Sequence, residues 1–216
     1  MGRRNQMKND KDLLHDLHNY SANINTREIF LHNSLMSDDN QNPGVEYKMA
    51  TAFIKNIRVL EGRSSDPIKI HMQSIGGEWA DGMAIYDAIT MCKSHVTIIA
   101  YGQAESMSSI ILQAADERLI TPNTYFMCHF GSSYGGGDFQ NVHNWMEQDR
   151  KFLHVMMDIY TRKCVDGEFF KDKFNKKPTE NQVKQYLMRK LKSGDWYLSA
   201  KEAVYYGFAD RVVTSW

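Results

Sequence analysis

Cysteine is scarce in this chain of 216 residues: Cys92, Cys128 and Cys164 form no C-x-x-C pair and are odd in number. That excludes a disulfide framework, and the three read as small core residues of a protein in a reducing compartment, so a cytoplasmic location is expected. Net charge is lacking too, with 26 Lys and Arg against 26 Asp and Glu. The balance argues against a nucleic-acid or anionic-membrane partner. No apolar run approaches the roughly 20 residues that span a bilayer. The opening M-G-R-R-N-Q-M-K-N-D-K-D has no apolar core of a signal peptide, and Gln6 stands where a myristoylation motif needs Ser or Thr. The eight histidines show no H-E-x-x-H spacing, and His15 and His18 read as a polar helix face, so neither metal nor cofactor is expected. There is no internal repeat, low-complexity tract or linker. The length suits one domain, with or without an appendage.

What is present is alternation of strand and helix signals. Leu13, Leu14 and Leu17 suggest an amphipathic helical piece, and residues 28–32 a short strand. Asn33–Gly44 is rich in Asn, Asp and Ser and reads as a loop. Tyr47, Ala50, Phe53, Ile54, Ile57 and Leu60 recur at helical spacing. Ile68–Met72 is a strand, followed by a Gly76-Gly77 turn and a helix from about Asp81 to Cys92; Val96–Ala100 is a strand, followed by Gly102 and a helix over Met107–Ala115. This order predicts repeated βα units on a parallel sheet. Thr124–His129 is a further strand, Phe139–Lys163 a long helix, Glu180–Leu191 another, and Ala209–Thr214 a last strand. Ser199 and Glu202 form a capping box, and Gly207 ends that helix. Gly135, Gly136 and Gly137 give a loose backbone suited to a loop or to an edge strand that takes up a ligand chain.

The stretch Y-G-Q-A-E-S-M-S-S-I-I-L-Q-A-A, Tyr101–Ala115, carries the chemistry. Ser106 falls at a strand-to-helix turn, among backbone N–H groups with no helical acceptor, which favours a developing negative charge. That suits an acyl-transfer nucleophile. A serine at that place also serves as an ordinary N-cap.

Four segments resemble the proteolytic subunits of the Clp protease, the ClpP family of self-compartmentalised serine peptidases. They are S-I-G-G at Ser74–Gly77, D-G-M-A-I-Y-D at Asp81–Asp87, G-Q-A-E-S-M at Gly102–Met107 and D-W-Y-L-S-A-K-E-A-V-Y-Y-G at Asp195–Gly207. The resemblance covers about Thr26 to Val213. It implies an α/β fold of the ClpP/crotonase type, with repeated ββα units and a helical handle at about 130–192. Residues 1–25 are expected to stand apart from a peptidase domain over 26–216. It further implies Ser106 as nucleophile, His129 in M-C-H-F as general base, Asp195 as the orienting acid, and the N–H groups of Gly77 and Met107 as an oxyanion hole. An extended substrate is expected to add as a strand along Gly76, Glu78 and Trp79 on one side and Gly135 and Gly136 on the other. Taken singly, His129 is equally a buried hydrogen-bonded histidine, Asp195 a cap, and Trp79 a surface-packed ring. The implied partners are unfolded polypeptide, further copies in heptameric rings that stack in pairs, and an AAA+ unfoldase.

The chain also departs from the family's pattern. Glu105 replaces an alanine directly before Ser106, and a carboxylate facing the site would stabilise protonated His129. Ser108 and Ser109 replace Gly-Ala, Ile75 replaces a proline, and the stretch between His129 and Asp195 is longer, with the extra residues expected around Cys164–Lys190. The alternatives are a catalytically modified ring subunit, a viral capsid-maturation protease and a crotonase-like acyl-coenzyme A enzyme.

Overall fold

The computed structural model describes residues 10–31, 44–133 and 135–215. The expected loop at 33–43 and the polar segment 1–9 lie outside them. In chain order the described elements are α1 (Asp10–Tyr20), β1 (Ala22–Asn23), β2 (Glu28–Leu31), α2 (Tyr47–Glu61), β3 (Ile68–Ser74), α3 (Trp79–Thr90), β4 (Val96–Glu105) and α4 (Met107–Leu112). The second half holds β5 (Glu117–Ile120), β6 (Tyr125–Cys128), α5 (Phe139–Cys164), α6 (Glu168–Phe174), α7 (Glu180–Leu191), β7 (Trp196–Ser199), α8 (Ala200–Tyr206) and β8 (Arg211–Val212).

One sheet runs in the order β1-β2-β3-β4-β5-β8, with β6 and β7 branching from β4. It is the expected α/β architecture. The parallel expectation holds for the pairs among β2, β3, β4, β5, β6 and β8, while β1 and β7 are antiparallel margins on β2 and β6. The centre is β4, whose first half, Val96–Ala100, is buried on both faces, as an apolar β-branched run dictates. Around it the core joins Phe53, Ile70, Ile98, Phe126, Tyr160 and Phe208.

The strand β4 is twice as long as its sequence signal. Gly102 does not end it but bends it at φ 55°, where its neighbour changes from β5, at Thr97–Ala100, to β6, at Gln103–Glu105. That fork sets β6 beside the end of β4 and puts the turn at Ser106 rather than at Gly102.

The residues between α5 and β7 also form more structure than their polarity suggests. The helix α6, read from sequence as polar connection, lays Phe169 and Phe170 against Tyr186 of α7 and Tyr206 of α8, with ring centroids 4.3 to 6.2 Å apart. Lys173 sits over the Tyr186 ring. Aromatic burial therefore sustains this helix where periodicity is masked by lysines. The short strands β1, β5 and β7 carry too few residues for a period to register, and the last strand is shorter than Ala209–Thr214. Both capping boxes, Ser199 with Glu202 and Thr179 with Gln182, are formed.

Candidate active site

Ser106 occupies the N-cap position of α4 but does not cap it. Its backbone lies at φ 51°, ψ −123°, outside the regions an L-residue ordinarily occupies, so the surrounding structure must hold it there. Three things do. The Ser106 N–H donates to the Met127 carbonyl at 2.8 Å, tying the elbow to β6. Ser109 Oγ donates to the Ser106 carbonyl at 2.6 Å and meets the Tyr160 hydroxyl at 2.6 Å. Gly76 packs so closely beneath that a Cβ there would stand 2.6 Å from Ser106 Cβ and 2.8 Å from the Met107 nitrogen. Ser109 thus has fixed partners on both sides. Ser108 Oγ is buried without a hydrogen-bond partner among the described residues.

Freed from capping, the Ser106 hydroxyl lies 2.8 Å from His129 Nε2. His129 follows β6, and the antiparallel register Cys128↔Trp196 makes Asp195 its next opposite neighbour. His129 Nδ1 stands 3.1 Å from Asp195 Oδ1. A carboxylate only accepts, so Nδ1 carries the proton and Nε2 is left as the acceptor for the serine hydroxyl. The histidine side chain is largely covered while that of Asp195 is 52% exposed.

The glycine turn is clamped from outside. Val45 N–H donates to the Gly76 carbonyl at 2.6 Å, and Glu78 N–H donates to the Val45 carbonyl at 2.8 Å. In a parallel bridge the residue between two such bonds turns its own N–H and C=O to the opposite edge. Gly77 also lines the cavity in front of Ser106. A Cβ on Gly77 would fall 2.1 Å from the Val45 oxygen. The Met107 N–H lies in the first turn of α4, where helical acceptors are missing.

A cavity of about 550 Å³ opens in front of Ser106 and His129. Gly77, Glu78, Trp79 and Met107 of the expected set line it, and Trp79 stacks on Phe152 of α5 at 4.9 Å. On the far side the wall is Phe130 and residues 131–133, so Gly135 and Gly136 lie further along that loop and do not line the cavity. Gly135 sits instead by the Trp145 ring. No motif pointed to Asp149, Phe152, Leu153 and Met156 of α5, which complete the wall. Their spacing of three, four and seven is an apolar helix stripe interrupted by one acid, and that interruption is the signal available in the sequence.

Glu105 alternates with the buried Ala104, as His129 does with Cys128 and Asp195 with Trp196. The three therefore share one face of the sheet, with Glu105 in register with Met127 and Met127 with Tyr197. Burial raises the Glu105 carboxyl above its ordinary value; a hydrogen bond from Gln103 opposes this, Asp195 adds to it and His129 opposes it. Among the described residues no three His, Cys, Asp or Glu side chains gather as a metal-ligating group, and no described helix is long and apolar enough to cross a membrane.

An α/β sheet with a serine, an imidazole and a carboxylate in line at a strand-to-helix elbow is an arrangement suited to acyl transfer. The chain matches the Clp protease family model over residues 17–216 and belongs to that family. The match begins earlier than the motifs do and takes in the end of α1. The ATP-dependent Clp protease proteolytic subunit of Deinococcus radiodurans is 29% identical over 172 residues, covering 78% of this chain and 76% of that protein. Proteolytic subunit 3 of a Synechococcus strain is 31% identical over 171 residues, covering 77% and 76%. Proteolytic subunit 2 of Pseudomonas aeruginosa is 29% identical over 174 residues, covering 80% and 78%.

Proposed function

We propose that this Clp-family chain is the proteolytic subunit of an ATP-dependent protease, a serine endopeptidase that cuts unfolded polypeptides. The observation that carries the catalytic assignment is the Ser106 hydroxyl turned away from its cap and onto His129 Nε2 at 2.8 Å. Ser106 Oγ attacks the scissile carbonyl as its proton passes to His129 Nε2. Asp195 holds the tautomer and offsets the charge of the imidazolium. The carbonyl oxygen, now an oxyanion, accepts from the N–H groups of Gly77 and Met107. His129 then returns the proton to the departing amine, and the same steps with water release the acyl group from Ser106.

The substrate enters as an extended strand along Gly76, Gly77, Glu78 and Trp79. The opposite bank is formed by Phe130 and residues 131–133. Main-chain pairing there reads no sequence, which suits degradation. An AAA+ unfoldase and enclosure in a heptameric ring follow from the same assignment, supported by apolar side chains left exposed on α5, Phe139 at 87% and Trp145 at 48% among them.

Ser106→Ala deletes one oxygen from a side chain that makes no cap bond. In short-peptide assays on assembled protein it is expected to lower turnover by about four to six decades, as loss of a triad member does. Activity near wild type in that variant contradicts the assignment.

A further inference from the structure

The cavity wall facing Ser106 carries a charge that the hydrolytic steps do not use. On α5, Asp149, Phe152, Leu153 and Met156 share one face and all line the cavity. Met156 and the α4 residue Ile110 are both buried and line the same cavity. Asp149 stands two turns earlier, about 10 Å along the helix axis. Ser133 Oγ donates to Asp149 Oδ2 and fixes the carboxylate against the opposite wall of the same cavity. Of the fifteen lining residues, Asp149 and Glu78 are acidic and none is Lys or Arg.

An apolar passage leading to an anchored carboxylate matches one kind of side chain, an aliphatic stem ending in a cation. Lysine and arginine bury their methylenes along apolar surface and keep the head for a polar partner. A half-enclosed cavity of one sign also focuses its field and raises the local concentration of the opposite charge. We propose that Asp149 selects substrates with lysine or arginine as the residue that donates the scissile carbonyl. The cation is held at Asp149, with Glu78 adding to the negative rim. The selectivity rests on the Ser106 reading, since it describes what that site accepts.

The other role open to Asp149 is to tether residues 131–133 through Ser133. Asp149→Asn separates the two, because an amide oxygen still accepts from the Ser133 hydroxyl while the charge is gone. Paired fluorogenic peptides differing only in lysine or methionine at the cleaved position are to be compared as kcat/KM on full-length, assembled protein. Wild type is expected to favour lysine, and Asp149→Asn to lower the lysine-to-methionine ratio by about tenfold, equivalent to 1.4 kcal/mol, with methionine cleavage within about threefold of wild type. Raising the salt on wild-type protein alone should lower the same ratio, which needs no variant to fold. A wild-type preference for methionine, or a lysine preference unchanged in Asp149→Asn, overturns the assignment. Failure of the Ser106 reading looks different: neither peptide is cut in a Ser106-dependent way, and the selectivity falls with it.

Discussion

The two walls of the cavity are built from different materials. On the Ser106 side the surface is backbone: the Gly76–Gly77 turn clamped by Val45, and the Ser106–Met107 elbow tied to Met127. On the α5 side it is side chain, with Phe152, Leu153 and Met156 ending at Asp149. Backbone donors cannot be repositioned without moving the strands that carry them, whereas a helix stripe changes one residue at a time. The backbone wall therefore suits chemistry, which tolerates little displacement of donors, and the side-chain wall suits selection.

Adding one methyl group to the backbone wall tests that division most severely. In Gly77→Ala the new Cβ meets the Val45 oxygen at 2.1 Å, from a backbone at φ 150° that L-residues rarely adopt. The Val45 clamp must shift and carry the Gly77 N–H with it. The expected loss in kcat is about two to three decades, the scale of one oxyanion donor. Gly136→Ala is the matched control, for its Cβ meets nothing within 4 Å, and near-normal kinetics are expected. Equal losses in the two variants would remove the distinction between the walls.

A smaller effect is expected from a charge that belongs to neither wall. Glu105 shares a sheet face with His129 and Asp195, and burial there raises its carboxyl above the ordinary value. Glu105→Gln removes that charge while keeping an amide to bond Gln103. Because the folded state holds the Glu105 proton more tightly than the unfolded chain does, wild type loses stability as pH rises from the ordinary carboxyl range to the raised one; the variant should escape that loss, so its advantage in denaturant midpoint is expected at neutral pH and not in acid. A difference between the two midpoints that does not change with pH would mean that the Glu105 carboxyl keeps its ordinary value in the folded chain.

Legibility in the sequence follows the same division. The backbone wall was visible, because close approach and tight turns demand Gly76, Gly77 and a serine at a strand–helix junction, and short motifs record such demands. Its clamp was not: Val45 lies 32 positions from Gly77, and nothing local to Val45-Glu46 marks a bridge. Long helices such as α2, α5 and α7 stood out by their period. The short β5 and β7 did not, although β7 brings Asp195 to His129, since four residues carry little periodic signal and their pairing comes from distant strands. The α6 helix is obscured in the sequence because Lys173 reads as solvated surface but lies over aromatic rings. Asp149 is unmarked in the sequence because an acid on an otherwise amphipathic helix reads as solvated surface until the opposite wall is in place.

Covalent labelling tests most directly whether Ser106 is the activated nucleophile of a preformed site. Full-length protein is to be treated with a fluorophosphonate and the adduct located by peptide mass mapping, with His129→Ala as the parallel sample. One adduct on Ser106 is expected in wild type, with labelling slowed by orders of magnitude when His129 is gone. An adduct on another serine, or labelling of Ser106 that is indifferent to His129, would contradict it.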